Sequence, residues 1–218
     1  MSPDWDWLAR NTGMILRLLG LHVVLSVLPV LIGLVLAIPI GYLVSRCGPL
    51  ANAILAVWGI IYAIPSLALF VAMPSILGTK ILDPVNVVAA LAVYALALLV
   101  RSVVDGLRSV PAEVKQSATA LGYGSTRRLL RVELPLAMPV IFAGLRVVTV
   151  STISLVTVGA LIGLGALGDL LTYGFNSAFY TPVLTGIVLV VVLALVADAV
   201  ILLLQRGLLP WSKGVRTA

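Results

Sequence analysis

Long apolar runs alternate with short polar interruptions along this chain, and the spacing of the interruptions is that of a bilayer. Apolar segments cover residues 21–45, 51–77, 85–104, 136–162 and 183–205, and a helix needs roughly 20 residues to cross the hydrocarbon. Segments such as "LSVLPVLIGLVLAIPIGYLV" and "TGIVLVVVLALVADAVILLL" lack the apolar-polar alternation of a membrane-barrel strand. The pattern predicts an all-α integral membrane protein of about five transmembrane helices, organised as one domain over residues 1–218. Trp5 and Trp7 beside Leu8 predict an N-terminal interfacial helix at the headgroups, after which the chain turns inward. Prolines and glycines inside the spans, as in "AIPSLALFVAMPSILG", predict kinks and close packing, because neighbouring helices can satisfy the backbone groups that a kink frees.

One polar island breaks the pattern, "EVKQSATALGYGSTRRLLRVELPLAMP" at residues 113–139. After Pro111, good helix formers run to a glycine stop at Gly122, with Val114, Ser117, Ala118 and Leu121 on one face at helical spacing. A second short helix follows, with Ser125 as its cap and Leu129, Leu130, Val132 and Leu134 as its apolar residues. Pro135 and Pro139 then restart the chain at the fourth span. Helices this short are marginal in water and require a surface to pack on.

Composition agrees with the bilayer assignment. Hydrophobic residues make up 61% of the 218, charged residues only 10%, and the mean hydropathy is +1.20, whereas soluble domains carry about 25% charged residues. The net charge of +6 does not point to nucleic acid, because the basic residues flank apolar spans. Alternate loops divide them unequally: Arg46, then Arg101, Arg108, Lys115, Arg127, Arg128 and Arg131, then Arg206, Lys213 and Arg216 on one side, against Arg10, Arg17 and Lys80 on the other. Retention of basic residues on the inner side predicts an outer N-terminus, a cytoplasmic C-terminus and a cytoplasmic loop at 105–135. The acidic, aromatic start is unlike a secretory signal, so the first apolar segment is expected to be retained. Cys47, the single cysteine, excludes an internal disulfide and a cysteine-built metal site.

The polar island carries a resemblance. Gln116-Ser117-Ala118, three residues, Gly122, nine residues and Val132-Glu133-Leu134-Pro135 reproduce the spacing Glu-Ala-Ala, Gly, Ile-x-Leu-Pro of permease subunits of bacterial ABC importers. The departures are Gln and Ser at the first two positions, where Gln116 replaces a carboxylate, and Val for Ile. "AIPSLALF", "YALALLVRSVVDGLRSVPAEV", "LPLAMPVIFAGLRVVTV" and "IGLGALGDLLTYGF" further resemble the permeases for glycine betaine, carnitine, choline and related osmoprotectants, over most of residues 60–205. Relatives often have Pro and Asn near Leu98 and Ser102, which this chain lacks.

The resemblance implies the type I importer permease fold in a bacterial cytoplasmic membrane. It also implies a coupling helix, with Glu113, Gln116, Ser117, Ala118, Gly122, Leu134 and Pro135 in the contact with, and transmission from, a cytoplasmic ATPase dimer. ATP and Mg²⁺ would be held by that ATPase and no cofactor by this chain. A second permease subunit, identical or homologous, and an extracytoplasmic substrate-binding protein meeting the outer loop 163–182 complete the implied assembly, with membrane lipid around it. A permease for another small solute, such as an amino acid, and a non-transporting membrane scaffold are the alternatives the residues leave open.

Several other signals have a bland reading. "GLGALG" at 163–168 matches a dinucleotide fingerprint but ends an apolar span instead of following a strand, so it is read as a turn at the outer mouth. No phosphate-binding loop of the Gly-x-x-x-x-Gly-Lys-Ser/Thr type occurs, so the chain is not itself the ATPase. His22 is read as structural. Asp198 is costly within hydrocarbon and needs a partner, for which Arg146 at similar depth is the candidate. Aromatic faces are receptors for quaternary ammonium cations, which makes Trp58, Tyr62, Tyr94 and Phe142 candidate substrate-path residues. Tyr173, Phe175, Phe179 and Tyr180 near the outer mouth are read as an interfacial belt.

Overall fold

The computed structural model describes residues 4–211, and Lys213 and Arg216 of the charge pattern lie outside the described residues. These residues form nine α-helices and no strand. In chain order they are α1 (Trp5–Ser45), α2 (Leu50–Ala63), α3 (Ser66–Leu77), α4 (Pro84–Ser109), α5 (Ala112–Ala120), α6 (Ser125–Arg128), α7 (Leu134–Val158), α8 (Gly168–Asn176) and α9 (Tyr180–Leu208). A π-helical turn, Leu129–Glu133, joins α6 to α7, and a 3₁₀ turn, Gly159–Ile162, follows α7. Four helical stretches are long and apolar enough to cross a membrane, and α2 with α3 makes a fifth span if that bent pair is counted as one.

Four local expectations are corrected. The interfacial helix is not a separate element: α1 runs 41 residues without a break, about 60 Å at 1.5 Å per residue, twice the hydrocarbon thickness. No residue between Trp7 and the apolar run denies the backbone its i to i−4 bonds, so the helix continues. Its start is capped by the Asp4 carboxylate, which accepts from the Trp7 N–H at 2.9 Å, and Trp7 packs edge-on against Phe179 at 5.7 Å.

The second span is not kinked but broken. Helices α2 and α3 meet at 96°, because Pro65 pushes Ile64 out of the helical region, to ψ 132°. The freed Ile64 carbonyl accepts a hydrogen bond from the Tyr94 hydroxyl at 2.5 Å, and Tyr62 stacks edge-on against Tyr94 at 5.7 Å.

Thirdly, Pro135 does not restart the chain. Residues 125–162 form one continuous helical span. An α-helical proline collides with the carbonyl four residues back. Here the Leu134 N–H reaches back to the Leu129 carbonyl, five residues away, and the wider turn takes Pro135 without a break. Ser125 is the first residue of α6 and not its cap, the cap position falling on Gly124.

Helix α4 is the centre of the bundle, lying between α1 and α7 and touching α2 and α3. Leu91, Leu99, Val100, Val103 and Val104 are fully enclosed there. Glycine sets how near its neighbours come. A Cβ on Gly41 of α1 would stand 2.6 Å from Val103 Cγ1, and on Gly144 of α7 it would collide with Ser102. Small residues at such crossings let backbones approach where lipid provides no hydrophobic drive. Ser102, one of the departures from the osmoprotectant pattern, is thus a packing residue against α7.

Helix α9 shows the opposite character, with an apolar window that is not buried at all within this chain. The Asp4 N–H donates to Thr181 Oγ1 at its start, and its charged tie to the bundle is bidentate: Arg146 Nε donates to Asp198 Oδ1 at 2.6 Å and Nη2 to Oδ2 at 2.7 Å. Parallel charge-assisted bonds of this kind fix orientation as well as distance. Asp198→Arg or Arg146→Asp alone sets like charges against each other, and each is expected to lower the thermal unfolding midpoint of the detergent-purified protein. Exchanging both is expected to recover more than half of the loss, and a double reversal no better than the worse single one would show that the pair does not hold α9.

Candidate functional site

The basic end of the bundle is built from the polar island. Val110 and Pro111 are extended and turn the chain sharply after α4, and α5 begins with Glu113 in its first turn, where a carboxylate complements the helix dipole. The helix stops in a Schellman arrangement. The Tyr123 N–H bonds the Ala118 carbonyl at 3.1 Å and the Gly122 N–H bonds that of Thr119 at 3.0 Å. This closure requires the left-handed conformation at Gly122, whose φ is +81°.

Two basic side chains clamp α5 to the spans. Lys115 Nζ donates to the Leu107 carbonyl near the end of α4 at 2.8 Å. Arg128 donates from Nη1 to Thr119 Oγ1 of α5 at 2.8 Å and from Nε to Glu133 Oε1 of the π turn at 2.6 Å. Glu133 is buried and Arg128 mostly so, which shields the pair from the screening that weakens surface ion pairs. The short helix is therefore held at both ends, to α4 and to the root of α7.

The face expected on α5 divides. Ala118 is buried and Val114 half-buried against the rest of the chain, while Ser117 and Leu121 point outward. The helix ends at Ala120, so Leu121 lies on the terminating turn and leaves the register of the face. What faces away is Glu113, Gln116, Ser117 and Ala120 at helical spacing, followed by Leu121, 78% exposed. Ala118 thus belongs to the inner face and the other α5 candidates to the outer. Leu134 and Pro135 are half-buried where the π turn enters α7.

Arg128 and Glu133 were not among the candidate residues, for a geometric reason. Residues five apart lie well around an ordinary helix from each other, and the usual pairing signal is three or four. Only the π turn brings them together, and the signal available for it was Pro135, seven residues after Arg128.

The aromatic candidates do not form one cage. Tyr62 and Tyr94 meet at the break between α2 and α3, with the Tyr94 hydroxyl committed to Ile64. Trp58 packs against the core cluster that contains Leu99 and Val103, and Phe142 packs with Ile201 and Leu209 on the α9 side. His22 is enclosed, with Nε2 3.0 Å from the Ile153 carbonyl and no partner at Nδ1. The glycines of 163–168 serve backbone approach: a Cβ at Gly168 would strike the Thr157 carbonyl and one at Gly165 would strike Ala160. In the same turn Asp169 accepts from the Gly165 N–H at 3.2 Å. Burial holds the Asp169 carboxyl above the usual carboxylate range, and that hydrogen bond offsets part of the rise.

Comparisons with known proteins fit this geometry. The chain is 33% identical over 206 residues to the glycine betaine/carnitine/choline transport system permease protein OpuCD of Bacillus subtilis (strain 168), covering 94% of this chain and 89% of that protein. It is 32% identical over 213 residues to the osmoprotectant import permease protein OsmW of Salmonella typhimurium, covering 96% and 98%. Among solved structures, the MetNI methionine ABC transporter in inward-facing conformations superposes with a TM-score of 0.82 at 22% identity, covering 91% of this chain and 98% of that one. An amino acid ABC transporter solved with histidines gives 0.78 at 17% identity, covering 95% and 100%. These structural likenesses show the fold, that of type I ABC importer permeases. Residues 29–210 match the family described as binding-protein-dependent transport system inner membrane component, and with relatives above 30% identity along nearly its whole length, the chain belongs to that family of ABC importer permeases.

Proposed function

We propose that this chain is a transmembrane subunit of an ATP-driven importer for a quaternary ammonium osmoprotectant of the glycine betaine, carnitine or choline type. The observation that carries the reading is the outward face of α5, an exposed short helix clamped from behind by Lys115 and Arg128. The substrate class is supported by the names of the relatives. The N-terminus lies outside and the C-terminus in the cytoplasm, by the charge bias of the loops, and 105–135 is the cytoplasmic coupling loop. ATP and Mg²⁺ act on a cytoplasmic ATPase dimer, a second permease subunit completes the pathway, and an extracytoplasmic binding protein delivers the solute.

The mechanism follows from stiffness. Closure of the ATPase pushes on Glu113, Gln116, Ser117, Ala120 and Leu121. The clamps convey that push to α4 and to the root of α7. From there the helix runs unbroken through 38 residues to Ile162, about 57 Å at 1.5 Å per residue, enough to reach both faces of a bilayer. A displacement at the basic end therefore arrives at the outer turn as a rigid-body movement and is not absorbed at a hinge.

Gly122 has nothing within 4 Å of a hypothetical Cβ, so a substitution there acts through its positive φ and not through crowding. Gly122→Val is expected to leave membrane insertion intact, lower solute uptake in proteoliposomes at least about tenfold and leave ATP turnover in the assembled complex, whereas Gly122→Asn, which tolerates the left-handed region, keeps most uptake. Normal uptake by the valine variant would count against the coupling role. Removing both clamp bonds with Arg128→Met should likewise raise the ratio of ATP hydrolysed to solute moved, and an unchanged ratio would show that Arg128 transmits nothing. Uptake competition decides the solute: unlabelled glycine betaine, carnitine or choline should suppress transport where methionine or histidine does not.

A further inference from the structure

Tyr42, Arg46, Arg108, Lys115, Arg128 and Glu133 wall a cavity of about 180 Å³ where α1 and α4 end beneath α5. Four of these side chains are cations and one is a carboxylate, so the wall carries a clear positive excess. Each cation has one or two bonds inside the protein. Arg46 Nη1 donates to Tyr42 Oη at 2.5 Å, Arg108 Nη1 to Asn52 Oδ1 at 3.1 Å, Lys115 to the Leu107 carbonyl and Arg128 to Glu133 and Thr119. A guanidinium offers five N–H groups and an ammonium three, so donors remain on every one of them after these bonds are made. Crowded cations with uncommitted donors around a small polar hollow suit an anion with several acceptor oxygens.

Its position says which anion. The cavity sits at the end of two membrane-crossing helices, and the residues on either side of Arg46 along the chain include Leu43, 65% exposed, and Leu50, 68% exposed. An apolar flank beside a cationic hollow fits a molecule with a charged head and hydrocarbon tails better than a free ion. Basic pockets between transmembrane helices on the cytoplasmic side are suited to lipid headgroups.

We propose that this cavity binds the phosphodiester headgroup of an anionic phospholipid, with the acyl chains lying along Leu43 and Leu50. Arg46 and Arg108 come from the spans, whereas Lys115 and Arg128 come from the coupling segment, so a bound headgroup bridges the lever to the bundle. The placement of this end at the inner leaflet rests on the orientation proposed above.

The test uses the full chain purified in detergent with the chains that accompany it, which makes the result independent of leaflet. The protein is equilibrated with equal amounts of phosphatidylglycerol and phosphatidylcholine, and retained lipid is read by native mass spectrometry. Wild type should retain phosphatidylglycerol over phosphatidylcholine by about tenfold. Arg46→Gln with Lys115→Gln should abolish the preference, and Arg127→Gln with Arg131→Gln, which removes the same charge from exposed sites outside the cavity, should preserve it. Lys115→Arg should preserve it also. If the first pair unfolds, as judged by its thermal midpoint, the single Arg46→Gln at the exposed end of α1 gives the same reading. Equal loss in both double variants would mean that surface charge alone holds the lipid, and the proposal fails. It fails too if inorganic phosphate raises the thermal midpoint of wild type as much as phosphatidylglycerol does, which makes the ligand a free anion, or if the Arg46/Lys115 variant keeps its lipid and instead loses an accompanying chain, which makes the occupant a protein carboxylate.

Discussion

Hydrocarbon contains no water to satisfy a backbone N–H or C=O, and each unusual feature of this protein answers to that fact. Continuous helix meets the requirement by default. Where the chain departs from it, a partner stands ready: the Ile64 carbonyl freed by Pro65 takes the Tyr94 hydroxyl, and the crowding at Pro135 is relieved by a π turn that keeps its backbone bonded. Breaks in these spans are thus local rearrangements of hydrogen bonding. The fold tolerates the first because Tyr94 of α4 lies close enough to supply the missing donor, and the second because the wider turn keeps its own backbone bond.

Closeness has its own origin. Lipid tails solvate leucine as well as another helix does, so association depends on packing contacts and polar ties. Gly41 and Gly144 admit α4 to within backbone range of α1 and α7, and the Arg146–Asp198 pair secures α9, whose apolar face remains free of this chain. The consequence is an uneven bundle. A dense centre around α4 is flanked by α9, which packs on α7 and α8 yet turns its apolar window away from this chain, an arrangement suited to a subunit that meets lipid or another subunit along that side.

At the basic end the same economy of contact holds a short helix rigidly. Helix α5 is too short to be stable alone, and its stability comes from Ala118 and Val114 packed inward, Lys115 on α4 and Arg128 on the π turn. Those bonds make it both folded and stiffly connected. A displacement of its outer face would pass into α4 and the root of α7, as the proposed coupling requires, and the proposed lipid site behind it would add a second contact with the connection.

Much of this was legible in the residues. The five apolar runs and the Gly122 stop located the apolar cores of the spans and the end of α5, because length and glycine conformation are properties of the chain itself, whereas α1 begins at Trp5 and the fourth span at Ser125, well ahead of their apolar runs. The pairing of Arg146 with Asp198 was also readable, since a lone carboxylate in hydrocarbon demands a cation at its depth. Facing was not readable. In water an amphipathic stripe reports which side of a helix is buried, but in a bilayer lipid-facing and protein-facing residues are alike apolar; on α5 the helix ends at Ala120, so Leu121 leaves the face that helical spacing shared with Ala118. Nor does the sequence distinguish a kink at Pro65 from a 96° break, or reveal that Arg128 reaches Glu133. Those outcomes were decided by which neighbour could satisfy a freed backbone group or fill a turn, and that is settled only when the helices are assembled.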